Sequence, residues 1–277
     1  GLIGEQLPMD VMRAGIPAVV AGLAPGRAAG AAAAQAIMTT DTVPKQACVS
    51  GAGWSVGGMA KGAGMLAPGL ATMLVVLTTD AVLGAEELSL ALKEACRITF
   101  NRTDSDGCMS TNDTVVLMSS GASAQRPDQV EFTRALTAVC HSLAQQLITD
   151  AEGASHDIAV TTVGAATETE AEDVSRTVCR SNLLKTAVFG NDPNWGRVLS
   201  AVGTTQAQFE PDRIDVSING VTVCRNGAIG DPREGVDLAA SRAVDIVVDL
   251  KSGDQQATVW TNDLTHDYVE ENSAYSS

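Results

Sequence analysis

The sequence predicts an α/β fold, and three observations predict it. Short apolar runs bounded by turn residues, at Met73–Leu77, Val115–Met118 and Ile158–Val163, have the length of buried strands. Alternating with them, Glu86–Phe100 and Gln129–Asp150 carry apolar residues at helical spacing, and Glu168–Leu184 reads as a further helix. No Gly-x-Gly-x-x-Gly opens a helix after a strand, which argues against a dinucleotide-binding version of this alternation. Of 277 residues, 45% are hydrophobic, enough for a sizeable core in one large domain or two ordinary ones.

Taken in order, Asp10–Met38 mixes Ala, Gly and aliphatics and reads as helical pieces, the best being Ala28–Met38, which has no breaker after Gly30. Pro17, Pro25 and Arg27 interrupt its apolar part, so it is no transmembrane span. Val49–Ala60, with Gly51, Gly53, Gly57 and Gly58, reads as a hairpin leading to Lys61. After a glycine-loosened, proline-broken stretch comes the strand Met73–Leu77, and Thr78-Thr79-Asp80 then leads to the helix carrying Leu88, Leu92, Ala95 and Ile98. The acidic spacing of Asp104–Asp113 suggests a calcium loop, but the closing Glu is missing and that reading is rejected. Phe132, Leu136, Val139, Leu143 and Leu147 form the stripe of the long helix that delivers Asp150-Ala-Glu-Gly153. Lys185–Arg197 reads as a structured loop opening a helix near Arg197, and Asn219-Gly220 as the turn of a hairpin between Arg213–Asn219 and Val221–Cys224. Val244–Leu250 and Ala257–Thr261 are late strands, and by position alone the tail from Asp263 is a frayed terminus.

A formal charge of -15 argues against nucleic acid and anionic membranes as partners, because the summed field repels polyanions. A small acidic substrate therefore needs a local cation. The six cysteines, Cys48, Cys96, Cys108, Cys140, Cys179 and Cys224, lie far apart with no Cys-x-x-Cys, and read as reduced core residues of a cytoplasmic protein. His141, His156 and His266 are isolated, and no metal site is expected. The chain opens at Gly1 without a Met or a signal-peptide pattern, which reads as a fragment or processed form.

One stretch carries chemistry. In Lys61-Gly-Ala-Gly-Met-Leu-Ala-Pro-Gly-Leu-Ala-Thr72 a hydroxyl sits where loop becomes core. The Thr72 hydroxyl can attack the carbonyl of Ala71, shift the acyl group from nitrogen to oxygen, and let water complete a chain cut. The freed α-amine, with a pKa near ~8, can then accept the proton of its own hydroxyl. By local sequence alone a Thr here is far more often a β-former or a turn cap. The stretch resembles the self-cleavage site of the ornithine acetyltransferase (glutamate N-acetyltransferase) family, the bifunctional arginine-biosynthesis proteins. Further runs resemble that family in order: Gly1–Asp10, Met38-Thr-Thr-Asp-Thr-Val-Pro-Lys45, Ser110-Thr-Asn-Asp-Thr114, Lys185–Arg197 and the tail Asp263–Ser277.

The resemblance implies an α-β-β-α sandwich of the ornithine acetyltransferase or DmpA-like N-terminal-nucleophile type. It makes 1–71 the C-terminal part of an α chain and 72–277 a β chain beginning with the nucleophile. Cleavage falls at Ala71–Thr72. It assigns Thr72 as nucleophile and Gly1 to the oxyanion hole, with a Thr partner preceding the first residue here. Substrate contacts fall on Thr39 (Thr40 the neighbouring alternative), Lys61, Thr72, Glu152, Asn272 and Ser277, Lys61 on an α-carboxylate and Glu152 on proton handling. The implied reaction is ping-pong acetyl transfer from N-acetylornithine to glutamate without metal or organic cofactor, with acetyl-CoA open as a second donor. The implied assembly is a homo-oligomer of αβ units. The family often has a Lys where Ser155-His156-Asp157 stands, so no role is carried there. An amidase or aminopeptidase with the same nucleophile, and an inactive truncated precursor, are the alternative readings.

Overall fold

The computed structural model describes residues 5–67, 73–110 and 112–274. Two helices come first, α1 (Met9–Ala21) and α2 (Arg27–Ala36), where the Ala-rich pattern predicts helical pieces. None of the α1 side chains is buried, and Val11, Ile16, Val19 and Val20 stand exposed.

The first sheet runs in the order β1 (Lys45–Ser50), β2 (Ser55–Lys61), β3 (Leu74–Thr79), β4 (Thr114–Ser119). β1 and β2 form the predicted hairpin. β2 then pairs antiparallel with β3, from Val56 opposite Thr79 to Lys61 opposite Leu74. The step from β3 to β4 is parallel, which requires a crossover, and the amphipathic α3 (Ala85–Arg97) supplies it. α4 (Gln129–Thr149) lies across β1 and β2. Its predicted stripe, Phe132 to Leu147, is buried throughout, and the Asp128 carboxylate caps its first turn by accepting the Glu131 N–H at 2.9 Å.

The second sheet contains β5 (Asp157–Ala165), β6 (Asp215–Ile218), β7 (Val221–Arg225), β8 (Ala228–Ile229), β9 (Ala243–Asp249) and β10 (Gln255–Asn262), ordered β10-β5-β9-β6-β7-β8. The β6–β7 turn places Asn219 and Gly220 at φ 47° and 82°, the left-handed pair that a two-residue hairpin demands. α5 (Glu168–Cys179) covers β5 and β10. Here the structure corrects the sequence expectation of one helix to Leu184 followed by a loop. The chain breaks at Arg180, and the Ser181 hydroxyl accepts the Leu184 N–H at 3.3 Å, opening a new helix, α6 (Asn182–Phe189). Lys185 is therefore helical and buried, and the loop shrinks to residues 190–194. Asn194 caps α7 (Trp195–Val202), which starts two residues before Arg197. The tail, a frayed terminus by position alone, forms a last helix, α8 (His266–Ala274).

The two sheets thus share an α/β architecture with helices packed on them, and a polar seam joins them. Thr103 bridges to Trp260, Arg102 pairs with Glu168, and the Arg180 Nε donates to Asp104 at 2.7 Å. Among the cysteines, all free, Cys140, Cys179 and Cys224 are buried as expected. Cys48 and Cys108 are exposed instead, Cys48 because strand alternation turns it outward on β1, Cys108 because it follows the tight turn at Gly107 (φ 76°). No helix among the described residues is long and apolar enough to cross a membrane.

Candidate active site

Four of the predicted residues, Thr39, Lys61, Glu152 and Asn272, lie on segments tied to one another around the end of β2. Lys61, its last residue, is 4% exposed, and the chain continues through Gly62-Ala63-Gly64. Beside it lies Asp41, whose Oδ1 accepts the Gly62 N–H at 2.7 Å and whose Oδ2 accepts the Thr39 N–H at 3.1 Å. The fully buried Lys45 donates to Asp41 Oδ1 at 2.6 Å and to Asp150 Oδ2 at 2.5 Å. Burial opposes the Asp41 charge, but the bonds from Lys45, Gly62 and Thr39 outweigh it and hold the carboxyl below its usual range. Burial also lowers the Lys61 pKa; Asp41 pulls it back up and Lys45 pushes it further down.

Asp150 ends α4, and Glu152 follows in a tight turn. The Glu152 N–H donates to the Ala63 carbonyl at 2.8 Å, and its Oε2 accepts from the Asn272 amide of α8 at 3.2 Å. Glycine leaves this carboxylate its place on one side and is required by the backbone on the other. A Cβ on Gly64 would stand 2.8 Å from Oε2, and Gly153, at φ 62°, has the Tyr268 backbone where its Cβ would be. Asp263 pins the far side of the loop, its carboxylate accepting the Ser155 and His156 N–H groups at 2.9 Å each, the Ser155 hydroxyl, and His156 Nδ1 at 2.8 Å.

Glu152 borders two cavities. The larger, about 510 Å³, is lined by Thr40, Asp150, Glu152, Arg242, Asp267 and Glu271. Burial and then the Glu152, Asp267 and Glu270 charges raise the Glu271 pKa. The smaller, about 130 Å³, is lined by Ala63, Glu152, Lys185, Asn262 and Tyr268 among others.

The chain on either side of the predicted junction is held by a single loop. Upstream, Met65 N–H donates to Asp106 at 2.8 Å and Ala67 N–H to the Cys108 carbonyl at 3.2 Å; downstream, Met73 N–H donates to Asp113 Oδ1 at 2.9 Å. Burial raises the Asp113 pKa to about 6, against the lowering effect of that last bond.

Of the predicted residues, Lys61, Glu152 and Asn272 come together through these contacts, and Thr39 joins them through its N–H. Thr40, the neighbouring alternative, is the one that lines the larger cavity. Gly1, Ala71, Thr72 and Ser277 lie outside the described residues. Sequence reasoning missed Asp41, Lys45, Asp150 and Asp263. Asp41 and Lys45 sit four apart inside the Met38–Lys45 run, a spacing that could have flagged a buried pair; nothing local marks Asp150 or Asp263 as their distant partners.

Comparison with known proteins places the chain. The ArgJ family model matches residues 1–277. Arginine biosynthesis bifunctional protein ArgJ of Streptomyces avermitilis is 62% identical over 277 residues, all of this chain and 72% of that protein. Its counterpart of the same name in Mycobacterium leprae is 54% identical over 279 residues, again all of this chain and 68% of that protein. A crystal structure of arginine biosynthesis bifunctional protein argJ from Bacillus halodurans superposes with a TM-score of 0.69 at 36% identity, covering 73% of this chain and 98% of that one. With its whole length matched and its α/β fold shared, this chain belongs to the ArgJ family.

Proposed function

We propose that the chain transfers the acetyl group of N2-acetyl-L-ornithine to L-glutamate, in arginine biosynthesis, through an acetyl ester on Thr72. The observation that carries this reading is that the backbone leaving the buried cation Lys61 is tied to the carboxylate–amide pair Glu152–Asn272, the Glu152 N–H donating to the Ala63 carbonyl, at the end of the β2–β3 ladder that leads to Ala71–Thr72. In the first half-reaction Thr72 Oγ attacks the acetyl carbonyl carbon and its proton passes to the Thr72 α-amine. The C–N bond then breaks and that proton leaves on the ornithine nitrogen. In the second, the glutamate α-amine attacks the ester carbon, the C–O bond breaks, and Thr72 recovers a proton. Lys61 holds the substrate carboxylate, Glu152 handles the proton with Asn272 fixing its orientation, Thr39 or Thr40 and Ser277 complete the contacts, and Gly1 serves the oxyanion. The acidic wall of the larger cavity suits the ornithine ammonium. The reaction needs no metal or organic cofactor. Acetyl-CoA as a second donor has the support of the word bifunctional in the relatives' names.

A free α-amine on Thr72 requires a cut at Ala71–Thr72. The pairing of β2 with β3 supports it, because the pieces 1–71 and 72–277 would stay joined in one sheet. So does the Bacillus halodurans chain: 73% of 277 residues, about 200, covers 98% of it, the size of the 72–277 piece. In this reading the pieces assemble as a cytoplasmic homo-oligomer of αβ units.

Denaturing intact mass spectrometry after incubation with N-acetylornithine tests the proposal. The 28.5 kDa chain should appear as pieces of about 7 and about 21 kDa, the larger carrying an acetyl group that glutamate discharges. Thr72→Ala should give neither the cut nor the adduct. Discharge at equal rate without glutamate would assign a hydrolase instead, and turnover by a folded Thr72→Ala would remove Thr72 from the mechanism.

A further inference from the structure

Lys45 is the largest charged side chain sealed from solvent in the described structure, at 0% exposed, and its ammonium donates to Asp41, Asp150 and the Val43 carbonyl. Its two carboxylates belong to different segments, Asp41 to the loop after α2 and Asp150 to the end of α4. Each carboxylate also gathers backbone. Asp41 takes the N–H groups of Thr39 and Gly62, and Asp150 takes the Thr42 N–H at 3.0 Å together with the Thr42 hydroxyl. The Glu152 N–H closes the circuit on Ala63. The segments bearing Thr39, Lys61 and Glu152 are therefore tied through one buried ammonium.

An apolar side chain would fill this space at least as stably, because a buried ion pair seldom recovers its desolvation cost. What an apolar filler could not supply is charge. Two carboxylates around one ammonium leave a formal surplus of one negative charge, and Lys61 stands beside it. The cluster with Lys61 is then neutral. We propose that Asp41, Lys45 and Asp150 form a positioning cluster that fixes the Lys61, Thr39 and Glu152 segments relative to one another and whose surplus negative charge offsets the charge on Lys61, the cation that holds the substrate carboxylate. The assignment of Lys61 to substrate rests on the function proposed above; the charge coupling does not.

Among the described titratable groups, Asp41 and Lys45 act on Lys61, with Asp150 behind Lys45 and Glu152 against Gly64; Leu74, opposite Lys61 on β3, brings no charge. Asp41 raises the Lys61 pKa and Lys45 lowers it. Removing either charge must then move Lys61 in opposite directions. The test is Lys61 titration by ¹³Cε NMR, assigned with Lys61→Arg, which needs no turnover. Asp41→Asn keeps the shape of the side chain and should lower the titration midpoint by about one pH unit. Lys45→Met should raise it. Should Lys45→Met fail to fold, Asp41→Asn with the neutral triple variant Asp41→Asn, Lys45→Met, Asp150→Asn carries the same comparison, both lying below wild type. In kinetics, Asp41→Asn should bring the alkaline limb of kcat/KM to lower pH, KM for both amino-acid substrates rising across that limb with little change in kcat. Folded variants in which Lys61 titrates as in wild type, or in which Asp41→Asn and Lys45→Met shift it the same way, would overturn the cluster's electrostatic role. A wild type without acetyl transfer would sink the proposed function and leave the titration result standing.

Discussion

The core of the six-stranded sheet is built mainly of aliphatic side chains, with the Thr162 and Ser175 hydroxyls 2.8 Å apart inside it and Ser175 also donating to the Ala257 carbonyl; its other buried polar groups, Lys185, Thr261 and Asn262, gather at the β10 edge. The corner where the four-stranded sheet meets the end of α4 is built on opposite lines, burying Asp41 and Lys45 beside Lys61, a predicted substrate contact and itself buried. Apolar packing is non-directional and tolerant of small shifts, so it supplies stability without dictating where any one atom sits. Hydrogen-bonded charges are directional and costly to leave unpaired, so they supply little net stability and fix geometry and potential instead. The molecule separates the two tasks in space.

The comparison breaks most sharply in the apolar part. Phe132 is 0% exposed in the first core, with its ring centroid 5.7 Å from that of Trp54. Phe132→Ala should cost about 3–5 kcal/mol in urea unfolding, and the fraction that stays folded should keep the wild-type KM. A raised KM in that folded fraction would mean that core and corner are not separable.

This separation also explains what the sequence revealed. Apolar runs and periodicity are local signals, and they placed the long helix α4 and the strands at Met73–Leu77, Val115–Met118 and Ile158–Val163, while the hairpin before Lys61 was read from its glycines, from Val49 where the strand in fact starts at Lys45. The α5–α6 break escaped it because one hydroxyl, Ser181, decides it while the apolar pattern runs on. The corner was legible only as isolated motif residues. Lys45 and Asp150 are 105 residues apart, and a Lys in a strand reads as a solvated charge until its partners are in place.

A smaller effect is expected where the corner depends on backbone rather than charge. Gly153 adopts φ 62° and lies against the Tyr268 backbone, in the turn that presents Glu152 to Asn272. Gly153→Ala should lose about 1–2 kcal/mol for the left-handed conformation alone, more for the collision with Tyr268. Because the strain falls on the Glu152 turn, kcat should fall in the folded protein, in contrast to Phe132→Ala. Equal kcat in the two variants, measured on folded protein, would show that the turn does not govern Glu152.

The smallest effect sharpens the comparison inside the corner itself. Asp41 and Asp113 flank the end of the β2–β3 ladder and shift in opposite directions, Asp41 downward because three donors outweigh its burial, Asp113 up to about 6 because one donor, Met73 N–H, does not. A carboxyl with a folded pKa near 6 and an unfolded value of about 3.9 favours the folded state fully below the unfolded value, and that contribution is lost as pH rises through 6. Asp113→Asn keeps an acceptor for Met73 but cannot ionise. It should match wild type at pH 4 and exceed it at pH 7 to 8, by no more than about 1 kcal/mol because the half-buried group is partly screened by solvent. Asp41 has the reverse sign: its stabilisation is present above the unfolded pKa and is lost as pH falls through the lower folded value. Chemical unfolding of wild type and Asp113→Asn between pH 4 and 8 measures the difference, and parallel curves would mean that Asp113 is as well solvated as an ordinary surface carboxylate.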